Sequence, residues 1–338
     1  MAPAPSSLVQ SLTGTVRAET MAEANEVSSL LETLQPALLE LLPGSRELDN
    51  LDVWIQDEPT LYAYPSAGTS DAEGLWAESH NRILLARGAD NLQRTLAHEL
   101  VHAHLGKDWN TLPGTLEEGL CDRISEELAP EGAARLRAGR LASAALLCGS
   151  IQLELKVRET GSKEDWSARI ALSGGVPEEE PQRAVFRLAA GLSSTRLEAS
   201  AKRGYYGMAY LLVDRVVSRR GLEGLHALCV RAADEGFDAI PRPWLLEAAE
   251  LEDEREDWGR AAMASMGSAE LAELIKMHPN FAIDALAKYL NAAELAGTPA
   301  EQLAAIEADL WITDSETMID LDQHPIVREA VLARLTAR

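Results

Sequence analysis

The segment from Asp90 to Gly106 constrains the fold more than any other part of this 338-residue chain. Leu92, Leu96 and Leu100 recur every four residues, a spacing that gives an α-helix one apolar face to bury. We expect Asp90 to cap the start of this helix and Gly106 to end it. The chain must therefore build its core around an amphipathic helix in this segment.

The same helix carries His98-Glu99-Leu-Val-His102 on one side. Two histidines four residues apart project from one face of a helix, one turn apart, so both imidazoles can bind one metal ion. Glu99 lies one residue further round, where its carboxylate can take a proton from a metal-bound water without being a ligand. The alternative is a structural cluster, although buried histidines and carboxylates are costly without partners.

A third ligand is expected on a second helix that begins near Thr115. A catalytic zinc site needs three protein ligands and leaves its fourth position to water. Glu118 is the candidate ligand. Asp122, four residues later on the same face, is expected to hydrogen-bond a ligand imidazole, preferably that of His98. Thr115 and Glu118 also fit the pattern of a capping box.

These linked motifs resemble those of the gluzincin zinc metallopeptidases, and the Glu-Gly pair that begins at Glu118 is closest to their aminopeptidase-like branch. The resemblance covers residues 73–128. It implies that His98, His102 and Glu118 bind one Zn²⁺ ion and that Glu99 is the general base. The activity it implies is hydrolysis of a peptide bond, with a peptide or protein as the substrate.

The resemblance also implies a tyrosine on a later helix that donates a hydrogen bond to the oxyanion. Tyr206, three residues before Ala209 and an apolar run, fits that pattern better than Tyr205 or Tyr210. The alternative is that all three tyrosines are core or interface aromatics. The Gly-Ala-Met-Glu-Asn stretch with which such aminopeptidases hold a substrate N-terminus is missing, so the choice between endo- and exopeptidase stays open.

Short apolar segments predict several strands ahead of the histidine helix, and the first of them alternates apolar and polar residues. They lie at Leu51–Gln56, Gly74–Glu78 and Arg82–Ala86. The resemblance to the gluzincins implies an edge strand in a small sheet, and we assign that strand to the last of these segments. Arg82, Ile83 and Leu84 are then candidates for holding an extended substrate by backbone pairing, and an ordinary core strand is the alternative.

The whole pattern predicts an α+β, zincin-like fold, in which a small N-terminal sheet packs on the histidine helix and a mainly helical half follows. Residues 1–15 are predicted to be a flexible arm, and residues 16–130 the catalytic subdomain, beginning with a helix from about Val16. Residues 131–338 are predicted to be a mainly helical subdomain with a β-hairpin near 151–173.

The charge and composition indicate which classes of partner and which cellular compartment to expect. The net charge is −23 and no basic cluster offsets it, which argues against nucleic acid and anionic membranes as partners. The N-terminus lacks the features of a secretory signal, and no long apolar run predicts a transmembrane helix. Three cysteines without paired spacing argue against a disulfide framework, so we expect a cytoplasmic protein.

Two residues near the motif are assigned structural roles from their positions. His104 is expected to point away from the ligand face, as a surface or loop histidine. Cys121 is expected to be small core filler beside the site.

The rival functions are a non-catalytic metallopeptidase-like binding module and a zinc hydrolase with a non-peptide substrate. A closed structural zinc site is disfavoured because it needs a fourth protein ligand, which the sequence does not suggest.

Overall fold

The computed structural model describes most of the chain. The described residues are 7–11, 13–48, 50–57, 73–157, 166–174, 177, 179–187, 199–280, 282–284, 286, 297–307, 310–312, 317–318 and 321–337. The chain divides into two compact units. The first comprises Met1–Ala133, Arg183–Arg196 and Ala209–Glu252, and the second Ala134–Gln182, Leu197–Met208 and Asp253–Arg338. The predicted α+β class is confirmed, since a mixed N-terminal sheet precedes a mostly helical remainder.

A mixed sheet of five strands, counted over the described residues, lies in the first unit. Its strands are β1 (Ser7–Gln10), β2 (Thr15–Ala18), β3 (Asp52–Gln56), β4 (Gly74–Ala77) and β5 (Arg82–Ala86). They lie side by side in the order β1-β2-β3-β5-β4, with β2, β3 and β5 parallel and both outer strands antiparallel to their neighbours. Val16, Val53 and Ile83 are register partners across the three parallel strands and are fully buried, so they form one row of the core.

Two predictions about this sheet are wrong. Residues 7–10 form strand β1 rather than part of a flexible arm, because they pair with β2 along their whole length. Strand β5 is not an edge strand, because β3 pairs with it on one side and β4 on the other. Arg82, Ile83 and Leu84 therefore lie inside the sheet, where they cannot hold a substrate by edge pairing.

The side chains of these three residues have structural roles instead. Ile83 is fully buried and Leu84 is nearly so. Arg82 forms an ion pair with Asp52 at 3.0 Å, and its guanidinium lies 3.7 Å from the centroid of the Trp54 ring. This arginine thus fastens β5 to β3 through a charge pair and a cation–π contact.

Helix α1 (Met21–Leu41) follows the first two strands. It begins at Met21 rather than near Val16, because Thr15–Ala18 forms β2 and Thr20 closes a capping box with Glu23. The helix continues through Pro36, which lies on its exposed side. Its opposite face is lined by buried leucines that cover the sheet.

Two helices of the first unit carry the predicted ligands, α2 (Leu92–His104) and α3 (Gly114–Leu128). Helix α2 packs on β4 and β5 and against α3. Leu96 and Leu100 are fully buried, as their spacing predicts. Asn91 caps α2 in place of the predicted Asp90, since its side chain accepts a hydrogen bond from the Arg94 N–H.

The remaining elements are mostly helical. They are α4 (Ala133–Cys148), β6 (Ser150–Val157), β7 (Trp166–Ser173), α5 (Pro181–Ala184), α6 (Ala199–Asp234), α7 (Arg242–Ala249), α8 (Arg255–Ala264), α9 (Ser268–Met277), α10 (Pro299–Glu307), β8 (Leu310–Ile312), β9 (Thr317–Met318) and α11 (Pro325–Thr336). Strands β6 and β7 pair antiparallel along their length, which confirms the strand pair predicted near 151–173. Gly221, with φ of 72°, breaks α6. Among the described helices, none is long and apolar enough to cross a bilayer.

Candidate metal centre

The three predicted metal ligands come together between α2 and α3. The Nε2 atom of His98 lies 3.4 Å from Oε2 of Glu118, and the Nε2 atom of His102 lies 3.8 Å from the same oxygen. The imidazole centroids are 5.1 Å apart, with their planes at 64°. Each of the three side chains keeps between 12% and 17% of its exposure, so the cluster is mostly buried.

Carboxylates hold the opposite nitrogen of each imidazole. Nδ1 of His98 lies 3.1 Å from Oδ1 of Asp122, which confirms the predicted pair. Nδ1 of His102 lies 2.6 Å from Oε1 of Glu117, a partner that sequence reasoning missed. An imidazole that donates its Nδ1 proton to a carboxylate presents the lone pair of Nε2. Both rings are therefore oriented with their metal-binding nitrogens toward Glu118.

The predicted capping box at the start of α3 does not form. The helix begins at Gly114, directly after Pro113, and no side chain caps it. Thr115 consequently lies inside the helix and is fully buried. The side chain of Glu118 is then free of a capping role and reaches the imidazoles.

Cys121 is a second candidate donor on α3. Its Sγ atom, one ring nitrogen of His98 and one of His102 all lie within 4.8 Å of one another, so these three residues form a group that could hold a metal ion. Cys121 is fully buried, and burial raises the pKa of its thiol far above the ordinary value. The sequence predicted core filler here, whereas the structure brings the sulfur to the imidazoles.

Glu99 lies beside these ligands and against β4, the outer strand of the sheet on this side among the described residues. It is 6% exposed, and the backbone N–H of Trp76 hydrogen-bonds its carboxylate. A Cβ atom on Gly74 would lie 2.6 Å from Oε1 of Glu99, so the strand approaches this side chain closely. Burial raises the pKa of Glu99, and this outweighs the opposing effect of the two imidazoles. A raised pKa brings a carboxylate closer to the neutral range in which a general base works best.

The cluster carries an excess of negative charge. Its carboxylates are Glu99, Glu117, Glu118 and Asp122. Burial by itself would lower the pKa of His98, but hydrogen bonds with Asp122 and Glu118 raise it to about 9. The pKa of His102 is likewise raised well above its ordinary value, against the effect of burial. The site therefore attracts positive charge, which protons or a bound cation can supply.

The pKa of Glu118 is likewise set by burial and by hydrogen bonds that act in opposite directions. Burial would raise the pKa of its carboxyl group, but hydrogen bonds with both imidazoles hold that pKa well below its ordinary range. The group is thus ionised and ready to act as a ligand. Imidazole nitrogen, carboxylate oxygen and thiolate sulfur are the donors that Zn²⁺ accepts in proteins, so the residues present fit this ion.

Comparison with known proteins supplies no precedent for this site. No protein-family model, no curated protein and no solved structure matches the chain. The functional argument therefore depends on the geometry and charges of the cluster itself.

The tyrosines named from the sequence fall in different places. Tyr206 belongs to the second unit, where Arg140 and Lys202 lie 5.2 and 5.8 Å from its ring centroid. Its role as the oxyanion donor stays a prediction. Tyr210 belongs to the first unit, is fully buried and donates a hydrogen bond to Oε2 of Glu126 at 2.9 Å. That contact gives Tyr210 a structural role.

His104 is buried, so its prediction as a surface or loop histidine is wrong. Its Nδ1 atom lies 2.7 Å from the carbonyl oxygen of Arg46, and the Arg46 guanidinium donates to the carbonyl of Ala103 at 2.8 Å. Burial lowers the pKa of His104. These contacts fasten the end of α2 to the segment that follows α1, which is why the ring packs inward.

Proposed function

We propose that this protein is a zinc-dependent peptide-bond hydrolase, with His98, His102 and Glu118 as ligands and Glu99 as the general base. One observation carries the proposal: both Nε2 atoms face the same oxygen of Glu118, while carboxylates hold both Nδ1 atoms. Two histidines and one glutamate form the ligand set of a catalytic zinc site that leaves a position for water.

A zincin-like fold and a relation to the gluzincins are part of this proposal. Helix α2 packs on a small mixed sheet, and α3 lies against α2 and brings the third ligand to it. Strand β4 is the outer strand of the described sheet on the side of Glu99, and it replaces β5 as the candidate for pairing with an extended peptide. This arrangement favours a peptide or protein as the substrate.

The residues of the cluster divide the chemistry among them. His98, His102 and Glu118 would hold a zinc ion, which would supply Lewis acidity at the site. Glu99 takes a proton from the attacking water and delivers it to the leaving amine. The Trp76 N–H orients the Glu99 carboxylate for both transfers. Tyr206 remains the candidate that would donate a hydrogen bond to the oxyanion.

A non-catalytic, metal-binding module is the second candidate function. The proximity of Cys121 to both imidazoles favours it, because a fourth protein donor would give a closed zinc site of the structural kind. The two candidates agree on the metal and differ in whether the bound ion supports hydrolysis.

Metal content tests the ligand assignment. We expect about one zinc ion per chain in the wild-type protein and in Glu99→Gln, measured by mass spectrometry after purification with zinc. His98→Ala should lose the ion, and Glu118→Ala should hold it more weakly than the wild type. Undiminished zinc binding by Glu118→Ala would show that another residue is the third ligand, and a wild-type protein without zinc would end the proposal.

Hydrolysis tests the role of Glu99. Cleavage of an unfolded protein and of a library of quenched fluorescent peptides should fall by about 10²- to 10⁴-fold in Glu99→Gln, since general base catalysis contributes that much. Glu223→Gln, a matched change on the exposed surface, should leave the rate unchanged. Undiminished cleavage by Glu99→Gln contradicts this mechanism, whereas zinc-loaded protein without any cleavage favours the binding module.

A further inference from the structure

The candidate centre contains one donor more than a catalytic zinc site uses. The sulfur of Cys121 joins the two imidazoles in one group whose ligand atoms lie within 4.8 Å of one another. The carboxylate of Glu118 contacts the same two imidazoles at 3.4 and 3.8 Å. Glu118 and Cys121, both on α3, therefore both lie close to the imidazoles of His98 and His102 on α2.

The position of Cys121 on α3 explains how it reaches the cluster. Residues three apart on a helix project from neighbouring points of one face, so Cys121 and Glu118 both face α2. The cysteine is fully buried, and its thiol hydrogen-bonds the His102 imidazole. A sulfur inside a group of two imidazoles and several carboxylates has surroundings unlike those of apolar core filler.

We propose that Cys121 is a fourth protein donor to the ion and that its sulfur keeps the resting site closed to water. This inference rests on the proposed function, because it assumes that an ion is bound by His98, His102 and Glu118. It adds a form of regulation to that function: hydrolysis requires the sulfur to give up its position first.

The chemistry of the step is ligand binding alone. As the bond between Sγ and the ion forms, the thiol proton leaves to solvent, and no oxidant or reductant takes part. Four protein donors close a tetrahedral zinc site, whereas three leave a position for water. A sulfur donor also favours Zn²⁺, Co²⁺ or Cd²⁺ over the harder ions Mg²⁺ and Ca²⁺.

Cobalt substitution tests the inference directly. The full-length protein is freed of metal with a chelator and titrated with Co²⁺, which reports a sulfur ligand through a thiolate-to-cobalt charge-transfer band. We expect about one Co²⁺ per chain and this band in the wild type. Cys121→Ser and Cys121→Ala should still bind the ion but lose the band. Cys148→Ser, a change at a buried cysteine of the second unit, should keep it.

A second measurement on the same samples tests whether the Cys121 sulfur closes the coordination position that water would otherwise take. Azide binds an open position on Co²⁺ and shifts the visible bands, so it reports access to the ion without any assay of activity. We expect azide to act on Cys121→Ala at a clearly lower concentration than on the wild type, because three protein donors leave open a position that a fourth would fill. Circular dichroism of both variants checks that the helices remain.

The outcomes separate this inference from the function on which it rests. One Co²⁺ per wild-type chain without the charge-transfer band, or equal azide sensitivity in wild type and Cys121→Ala, overturns the role of Cys121 and leaves the three-ligand site intact. Failure of the wild type to bind either Co²⁺ or Zn²⁺ overturns both. A band that survives in Cys121→Ser would also refute the inference.

Discussion

At the scale of single residues, the orientation of the two imidazoles depends on the acids behind them. Asp122 is almost fully buried, with 4% of its side chain exposed, whereas Glu117 keeps 30%. A buried carboxylate is screened less by solvent than a half-exposed one, so its interaction with an imidazole is stronger. The two acids should therefore contribute unequally to metal affinity.

Neutral replacements of these acids are expected to weaken zinc binding. Asp122→Asn should lower the affinity by about 10- to 100-fold, because the ligand imidazole loses the charge that orients it and raises its basicity. Glu117→Gln should act in the same direction with a smaller effect. Competition with a chromophoric chelator measures both values. Glu127→Gln, at an exposed position of the same helix, is the control.

The prediction is that Asp122→Asn loses more zinc affinity than Glu117→Gln. A larger loss from Glu117→Gln than from Asp122→Asn would mean that the hydrogen bond at 2.6 Å, rather than burial, determines the contribution of each acid. Unchanged affinity in both variants would contradict the idea that these carboxylates support the ligands.

At the scale of elements, two glycines let neighbouring segments approach the site closely. Gly74 brings strand β4 against Glu99. Gly119 brings α3 against the first-unit part of α6, where an added Cβ atom would lie 2.5 Å from the carbonyl oxygen of Ala209. Neither glycine has a positive φ, so the absence of a side chain, rather than backbone freedom, is what these positions require.

Gly74→Ala should impair catalysis and spare the metal. The new methyl group would overlap the Glu99 carboxylate, which must move away from its hydrogen bond with Trp76. Misplacement of a catalytic group by about 1 Å can cost about 100-fold in rate, and we expect a loss of up to that size with unchanged zinc content. Peptide cleavage and metal analysis measure the two quantities. Gly88→Ala, where an added Cβ atom meets nothing within 4 Å, is the control.

Gly119→Ala should destabilise the protein. The carbonyl of Ala209 belongs to the backbone and cannot turn away as a flexible side chain would, so the helices must separate. Overpacking of this kind costs about 1–3 kcal/mol in the free energy of unfolding, measured by denaturant titration. Gly139 lies within helix α4, and an added Cβ atom there meets nothing within 4 Å. Gly139→Ala should therefore stabilise the protein by about 0.5–1 kcal/mol. Equal effects of the two changes would show that the helices of the first unit pack more loosely than described.

At the scale of the whole molecule, a metal ion bound at the candidate centre would join α2 and α3, which are consecutive helices linked in the chain by a loop. His98 and His102 belong to α2 and Glu118 to α3. An ion bound by all three adds its binding free energy to the stability of the first unit, because the unfolded chain does not hold these donors together. All three proposed ligands belong to the first unit.

Removal of the metal should therefore lower the thermal stability of the first unit. At a free zinc concentration about 100 times the dissociation constant, binding contributes about 2.7 kcal/mol, so a chelator should reduce the Tm by several degrees in calorimetry. Where the two units unfold in separate transitions, only one transition should move. His98→Ala should show the lower Tm already and no response to the chelator, and a chelator effect that persists in this variant would locate the metal elsewhere.

Much of the centre could be predicted from the sequence, because the relevant patterns are local. The period of Leu96 and Leu100 identifies α2, and the same period places His98 and His102 one turn apart on it. The four-residue spacing of Glu118 and Asp122 likewise gives two carboxylates on one face of α3. Alternation identified β3, and short apolar segments identified β4 and β5, each to within about one residue of its bounds.

Only the tertiary structure decided which neighbours these elements meet. Strand β5 became an interior strand because β4 returns to pair beside it, and the order of strands across a sheet is a non-local property. Two features depend on how α3 is rotated as it packs on α2. They are the contact of Glu117 with His102 and the approach of the Cys121 sulfur to within 4.8 Å of a nitrogen of each imidazole. A helical period states which residues share a face but not which face a partner covers, and that choice belongs to the packing of the whole unit.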